Sequence, residues 1–122
     1  MTKQPFHICI VDDDGAVRAS LESYLRSAGL GVNSFDSAEG FLNSEWRRLT
    51  DCLITDLNMP GLGGLGLQRE LNRLGRDFPV IVMTAYPTMS ARAESASMGV
   101  AAFLEKPIDP DLLLDRVESM LR

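Results

Sequence analysis

Three consecutive aspartates, Asp12, Asp13 and Asp14, follow one short apolar run, and a fourth, Asp56, ends another. Clustered carboxylates repel one another unless a cation neutralises them. An oxygen-only set suits a hard ion. Magnesium takes one or two carboxylates together with waters and a phosphate oxygen, and manganese is the substitute for the same ligands. Asp12, Asp13 and Asp56 meet that need. With a cation and a lysine beside it, the already ionised Asp56 could attack a phosphoryl group without a general base. Thr84 offers a hydroxyl to a phosphoryl oxygen, and Lys106 an ammonium; a cis bond to Pro107 would aim that ammonium back across the carboxylates. Each residue also has a plainer reading. Asp14 can cap a helix, and Asp56 before Asn-Met-Pro-Gly can be a turn former. Thr84 can be a β-branched strand residue, Lys106 an exposed lysine, and Phe103 a core aromatic.

These residues would have to be gathered by the elements between them. Short Val/Ile-rich runs alternate with longer segments of helical period, the pattern of strand–helix units winding a parallel sheet. The runs predict strands at Phe6 to Val11, Gly31 to Phe35, Cys52 to Asp56, Val80 to Thr84 and Val100 to Leu104. Val17, Leu21, Leu25 and Ala28 mark a first helix stopped by Gly29. Ser37 caps a second that carries Phe41 and Leu42, and Leu67, Leu71 and Leu74 mark a third ending by Gly75. A fourth, Ser90 to Met98, has only small residues and should be loosely held. The last follows Pro110, with Leu113, Val117, Met120 and Leu121 on one face and Arg122 at its end.

The expected fold is α/β: a five-stranded parallel doubly wound sheet, flavodoxin-like, with strand order 2-1-3-4-5. Such sheets bind ligands beyond the carboxyl ends of their strands, where Asp12, Asp13, Asp56, Thr84 and Lys106 would converge.

The 122 residues, 45% hydrophobic, suit one domain spanning 1–122. The formal net charge of −5 opposes a nucleic-acid backbone, so no nucleic-acid binding is expected. Residues 1–5 lack a signal-peptide pattern and no apolar run approaches the roughly 20 residues of a membrane span, which predicts a soluble cytoplasmic protein without membrane contact. Cys9 and Cys52 lie within apolar runs and read as buried free thiols. The single histidine, His7, leaves no partner for a His-based metal site or catalytic dyad and reads as structural.

Taken in order, Ile10-Val-Asp-Asp-Asp14, Leu53-Ile-Thr-Asp-Leu-Asn-Met-Pro-Gly61, Val80-Ile-Val-Met-Thr-Ala85 and Phe103-Leu-Glu-Lys-Pro107 resemble the receiver domains of bacterial two-component response regulators. Val17-Arg-Ala-Ser-Leu21 and Ser34-Phe-Asp-Ser-Ala-Glu-Gly-Phe-Leu42 look most like the receiver half of nitrogen-fixation-type helix-turn-helix transcription factors. The resemblance implies that Asp56 is the phosphoacceptor, and that Asp13, Asp56 and the Asn58 carbonyl bind magnesium directly while Asp12 assists through water. Lys106 and Thr84 would grip the phosphoryl oxygens. Phe103 would swing inward with Thr84 and signal to the face of the fourth helix, fifth strand and last helix, with a phosphorylation-dependent homodimer as one outcome. Asn58 and Tyr86, two positions beyond Asp56 and Thr84, would flank the path of hydrolytic water and tune the lifetime. The donor would be a sensor histidine kinase or a histidine phosphotransfer protein. The chain would be no turnover enzyme beyond its own phosphorylation and dephosphorylation. It would act on transcription if an output domain is attached, and otherwise as a stand-alone relay or protein-interaction receiver.

Two features depart from the family pattern. Gly61-Leu-Gly-Gly-Leu-Gly66 replaces an acidic residue often found after the phosphoacceptor and should loosen the start of the third helix, and Ala102 stands where an acidic residue often precedes the aromatic. A haloacid-dehalogenase-type phosphatase would need an acid at position 58, where asparagine stands. A flavodoxin-like cofactor module would need a phosphate cradle where Asp12 to Asp14 would repel one.

Overall fold

The computed structural model describes residues 6–121. The readings of residues 1–5 and of Arg122 as the end of the last helix lie outside that range. Five parallel strands, β1 (His7–Val11), β2 (Gly31–Phe35), β3 (Cys52–Asp56), β4 (Val80–Thr84) and β5 (Ala102–Glu105), form one sheet in the order β2-β1-β3-β4-β5. Six helices accompany them: α1 (Gly15–Ser27), α2 (Ala38–Leu42), α3 (Trp46–Leu49), α4 (Gly64–Arg73), α5 (Met89–Ser97) and α6 (Pro110–Met120). The expected flavodoxin-like fold is the one observed.

The two-residue period of the strands divides the core. Ile8, Ile10, Ile54, Ile81 and Met83 face the side covered by Leu21 and Leu25 of α1 and by Leu113 and Val117 of α6. Cys9, Val11, Leu53, Val80 and Val82 face the other side, under Phe41 of α2 and Leu67 and Leu71 of α4. Every residue of β3 and β4 is buried, which is why these strands read as continuous apolar runs. Phe41, fully buried, meets Phe35 and Phe78 edge to face at centroid distances of 5.6 and 6.4 Å.

Local chemistry sets the helix ends. Asp14 caps α1 by accepting from the Ala16 and Val17 amides, and Ser37 caps α2 by accepting from Gly40. Pro110 is the first residue of α6. The fifth strand begins two residues later than expected: Val100 N donates to Ser95 O across Gly99, whose φ is +78°, so Val100 closes α5 rather than opening β5. Phe6 likewise precedes β1, its carbonyl accepting from Gly31 N. The short α3 was not expected from periodicity. It carries Trp46, whose indole stacks on His7 at 3.9 Å, while His7 Nε2 lies 2.5 Å from Asn33 Oδ1. The histidine is thus a structural element at the amino edge of the sheet.

Candidate functional site

Parallel pairing brings the ends of all five strands to one edge. Three main-chain bonds fix that edge: Asp12 N to Phe35 O at 3.1 Å, Leu57 N to Met83 O at 2.8 Å, and Lys106 N to Thr84 O at 2.8 Å. The Asp12, Asp56 and Thr84 side chains are therefore carried on buried backbone rather than on mobile loop tips.

Asp12 and Asp56 are buried, and Asp13 is exposed beside them. Each of the first two divides its oxygens in the same way. Asp12 Oδ1 accepts from Asp14 N at 2.9 Å and Oδ2 from Lys106 Nζ at 2.9 Å. Asp56 Oδ1 accepts from Asn58 N at 3.1 Å and Oδ2 from Lys106 Nζ at 3.0 Å. Lys106 reaches them from beyond β5, and its bond to Pro107 is cis. Burial alone draws the lysine pKa down, but the hydrogen bonds and charges of Asp12 and Asp56 outweigh it, so the net direction is upward and the ammonium stays charged.

Carboxylate oxygens from Asp12, Asp13 and Asp56 all lie within 4.8 Å of one another, a spacing that one small cation can span. The donor set is oxygen only, with the exposed Asp13 on the solvent side, so the residues fit a magnesium or manganese ion that keeps part of its water shell.

Thr84 is fully buried at the end of β4. Its Oγ1 accepts from Asn58 Nδ2 at 2.7 Å and from Tyr86 N at 2.9 Å. Asn58 thus lies at the site by side chain as well as main chain. Tyr86 contributes its amide, while the residue is 70% exposed and its ring stands in solvent. Phe103, paired in register with Val82, is half-buried, and the Arg92 guanidinium lies over its ring at 4.6 Å while also bonding Glu105 at 2.8 Å.

Several participants escaped sequence reasoning. Arg18 Nη1 donates to Asp12 O at 2.7 Å, bracing the aspartate turn from the first turns of α1. Gly64 is a packing requirement rather than a loosening: a Cβ there would stand 2.5 Å from Asp56 O. The expectation that the glycines merely loosen the start of this helix is corrected at that position. Helix α5 is loosely seated only along its length, where Ser95 alone is buried. Its carboxyl end is tied, with Met98 O accepting from Gln68 Nε2 and Asn72 Nδ2, both at 3.1 Å, and Gly99 O from Arg76 Nη2 at 3.1 Å. Gln68 falls one residue after Leu67 on the apolar face of α4, and a polar residue on that face was the available signal.

Among the described residues no helix is long and apolar enough to cross a membrane. Comparison with known proteins agrees with the geometry. The family model for the response regulator receiver domain matches residues 8–118. The transcriptional regulatory protein FixJ of Bradyrhizobium diazoefficiens is 38% identical over 116 residues, which cover 95% of this chain and 57% of that protein. The response regulator protein TodT of Pseudomonas putida is 37% identical over 115 residues, 94% of this chain and 51% of that one. The crystal structure of FixJ-N has a TM-score of 0.86 at 32% identity, covering 98% of this chain and 95% of the other. The chain spans about half the length of these curated relatives, 57% and 51%.

Proposed function

Because the chain belongs to the response regulator receiver domains, whose work is phosphorylation-dependent signalling, we propose that it is a switch whose Asp56 carboxylate takes a phosphoryl group from a phosphohistidine. The donor is a sensor histidine kinase or a histidine phosphotransfer protein in the cytoplasm. The observation that carries this reading is the setting of Asp56: a buried carboxylate bonded to Lys106 Nζ at 3.0 Å and placed with Asp12 and Asp13 at a strand-end edge.

In the transfer, an Asp56 oxygen forms the new O–P bond as the donor's N–P bond breaks. The imidazole leaves with that electron pair and takes a proton from solvent. Lys106 and the Thr84 hydroxyl are the chain's own donors to the phosphoryl oxygens, and the fixed strand ends supply alignment. Asp12, Asp13, Asp56 and the Asn58 carbonyl would hold magnesium or manganese, which when bound supplies positive charge to the transferring oxygens. Hydrolysis at the same phosphorus restores the carboxylate, so the chain acts only on its own phosphoryl group. Asn58 and Tyr86 tune how long that group lasts.

The new charge draws in Thr84, and Phe103 follows, changing association through α5, β5 and α6 with a partner or a second copy. The similarity to a transcriptional regulator supports an effect on transcription where an output domain follows; alone, the domain works by relay or protein contact. Asp56→Asn tests the reading. It should keep the fold by circular dichroism and incorporate no phosphate from phosphoramidate and magnesium, since the amide lacks the nucleophilic charge. Undiminished incorporation would sink the assignment.

A further inference from the structure

A hydroxyl oxygen has two lone pairs and one proton. Both acceptor positions of Thr84 Oγ1 are filled, by Asn58 Nδ2 at 2.7 Å and Tyr86 N at 2.9 Å. The Tyr86 bond belongs to the turn that follows β4 and moves with Thr84's own chain. The Asn58 bond crosses from the segment after β3, and so ties the threonine to the neighbouring strand. Asn58 also bonds Asp56, its main-chain N–H donating to Asp56 Oδ1 at 3.1 Å. One residue is therefore bonded to the phosphoacceptor by its main chain and to the threonine by its side chain.

We propose that Asn58 is the positioning residue for Thr84: its carboxamide latches the hydroxyl in the resting arrangement, and a phosphoryl group on Asp56 opens the latch. The inference rests on the phosphoacceptor reading of Asp56. Nδ2 is a donor only, and so is the one free position of the Thr84 hydroxyl. A phosphoryl group brings charged acceptor oxygens next to both, and charged acceptors bind donors more strongly than a neutral hydroxyl does. Both donors can then turn to the phosphoryl group, and the neutral bond between them is given up. The resting state is favoured by a bond that exists only while Asp56 is bare, which is the differential contact a two-state switch needs. Asn58 is exposed, whereas Thr84 is fully buried, so truncating the asparagine frees the latch without opening the core.

The test compares amide chemical shifts of Ala85 and of residues 88–105 in the unphosphorylated protein with those of wild type phosphorylated by phosphoramidate and magnesium. Asn58→Ala keeps the main-chain N–H and carbonyl and should move the resting peaks part of the way along the line toward the phosphorylated positions. In a Thr84→Val background, where there is no hydroxyl to latch, the same truncation should move nothing further; in Thr84→Ser, which keeps the hydroxyl, the displacement should return. Resting peaks unchanged by Asn58→Ala, or displaced equally in the valine background, overturn the latch. Wild type that takes phosphate on Asp56 while Asn58→Ala behaves in that way overturns this inference alone. Wild type that takes no phosphate on Asp56 overturns the function and the latch together.

Discussion

At the residue scale, the candidate chemistry is carried on strand ends. Asp12, Asp56, Thr84 and Lys106 each end a strand or follow one directly, and the parallel sheet leaves them nowhere to go but the same edge. Side-chain partners across elements were not legible. Nothing in the spacing says that Asn58 reaches Thr84 or that Arg92 covers Phe103, because both contacts depend on rotamers chosen after the chain has folded. Gly64 shows the same limit, since a glycine needed for close approach and one that loosens a loop are the same letter. Two predictions belong here. Asp13 is the exposed member of the carboxylate set, so Asp13→Asn should leave Asp56 in place yet weaken magnesium binding, measured by calorimetry, by roughly tenfold or more, the order of loss seen when even an outer support of a metal ligand is removed. Unchanged affinity would make Asp13 only a turn residue. Tyr86 has its amide fixed to Thr84 and its ring free, so the ring can fold over an acyl phosphate and restrict water. Tyr86→Ala should shorten the phosphorylated lifetime several-fold, and a lifetime equal to or longer than that of wild type refutes the shielding.

At the scale of elements, the strands and most helices followed from period and caps. The boundaries that slipped did so where a helix-ending bond claimed residues with strand-like side chains, as at Val100. The reading of α5 as loosely held was half of the answer. Its lack of an apolar stripe is visible in the sequence, but the anchoring of its carboxyl end by Gln68, Asn72 and Arg76 depends on helices meeting in space. Toward its amino end, Arg92 joins the helix to β5 by an exposed ion pair, a weak tether. A helix anchored at its carboxyl end and weakly tethered toward its amino end opens more easily at the amino end. Amide exchange in α5 should be fast from Met89 to Arg92 and slow near Ser97, and phosphorylation should change the first region more than the second. Uniform exchange along the helix, alike in both states, would leave the face static.

At the scale of the whole molecule, two thiols sit on opposite faces of the sheet, each in its own half of the core. Burial pushes Cys9 up to about 11, against a lowering by its Thr50 hydrogen bond, and burial with the nearby Cys9 and Asp51 charges pushes Cys52 to about 12. Both folded values stand above the ordinary 9.0, so the thiols stabilise the fold fully below that pH, and the contribution declines as pH rises through about 11 and 12. The urea midpoint should therefore fall between pH 9 and 11, and an aromatic disulfide reagent should label both thiols only after unfolding. Rapid labelling of the native protein at pH 8 would contradict the burial. The stack at the amino edge has a consequence of another kind. The one tryptophan rests on the one histidine, beside the start of β1 and so about 15 Å, the length of a five-residue strand, from the carboxylates. Intrinsic fluorescence from this protein is a gauge of whether the sheet is assembled, and the lamp keeps its colour while the far edge is charged and discharged.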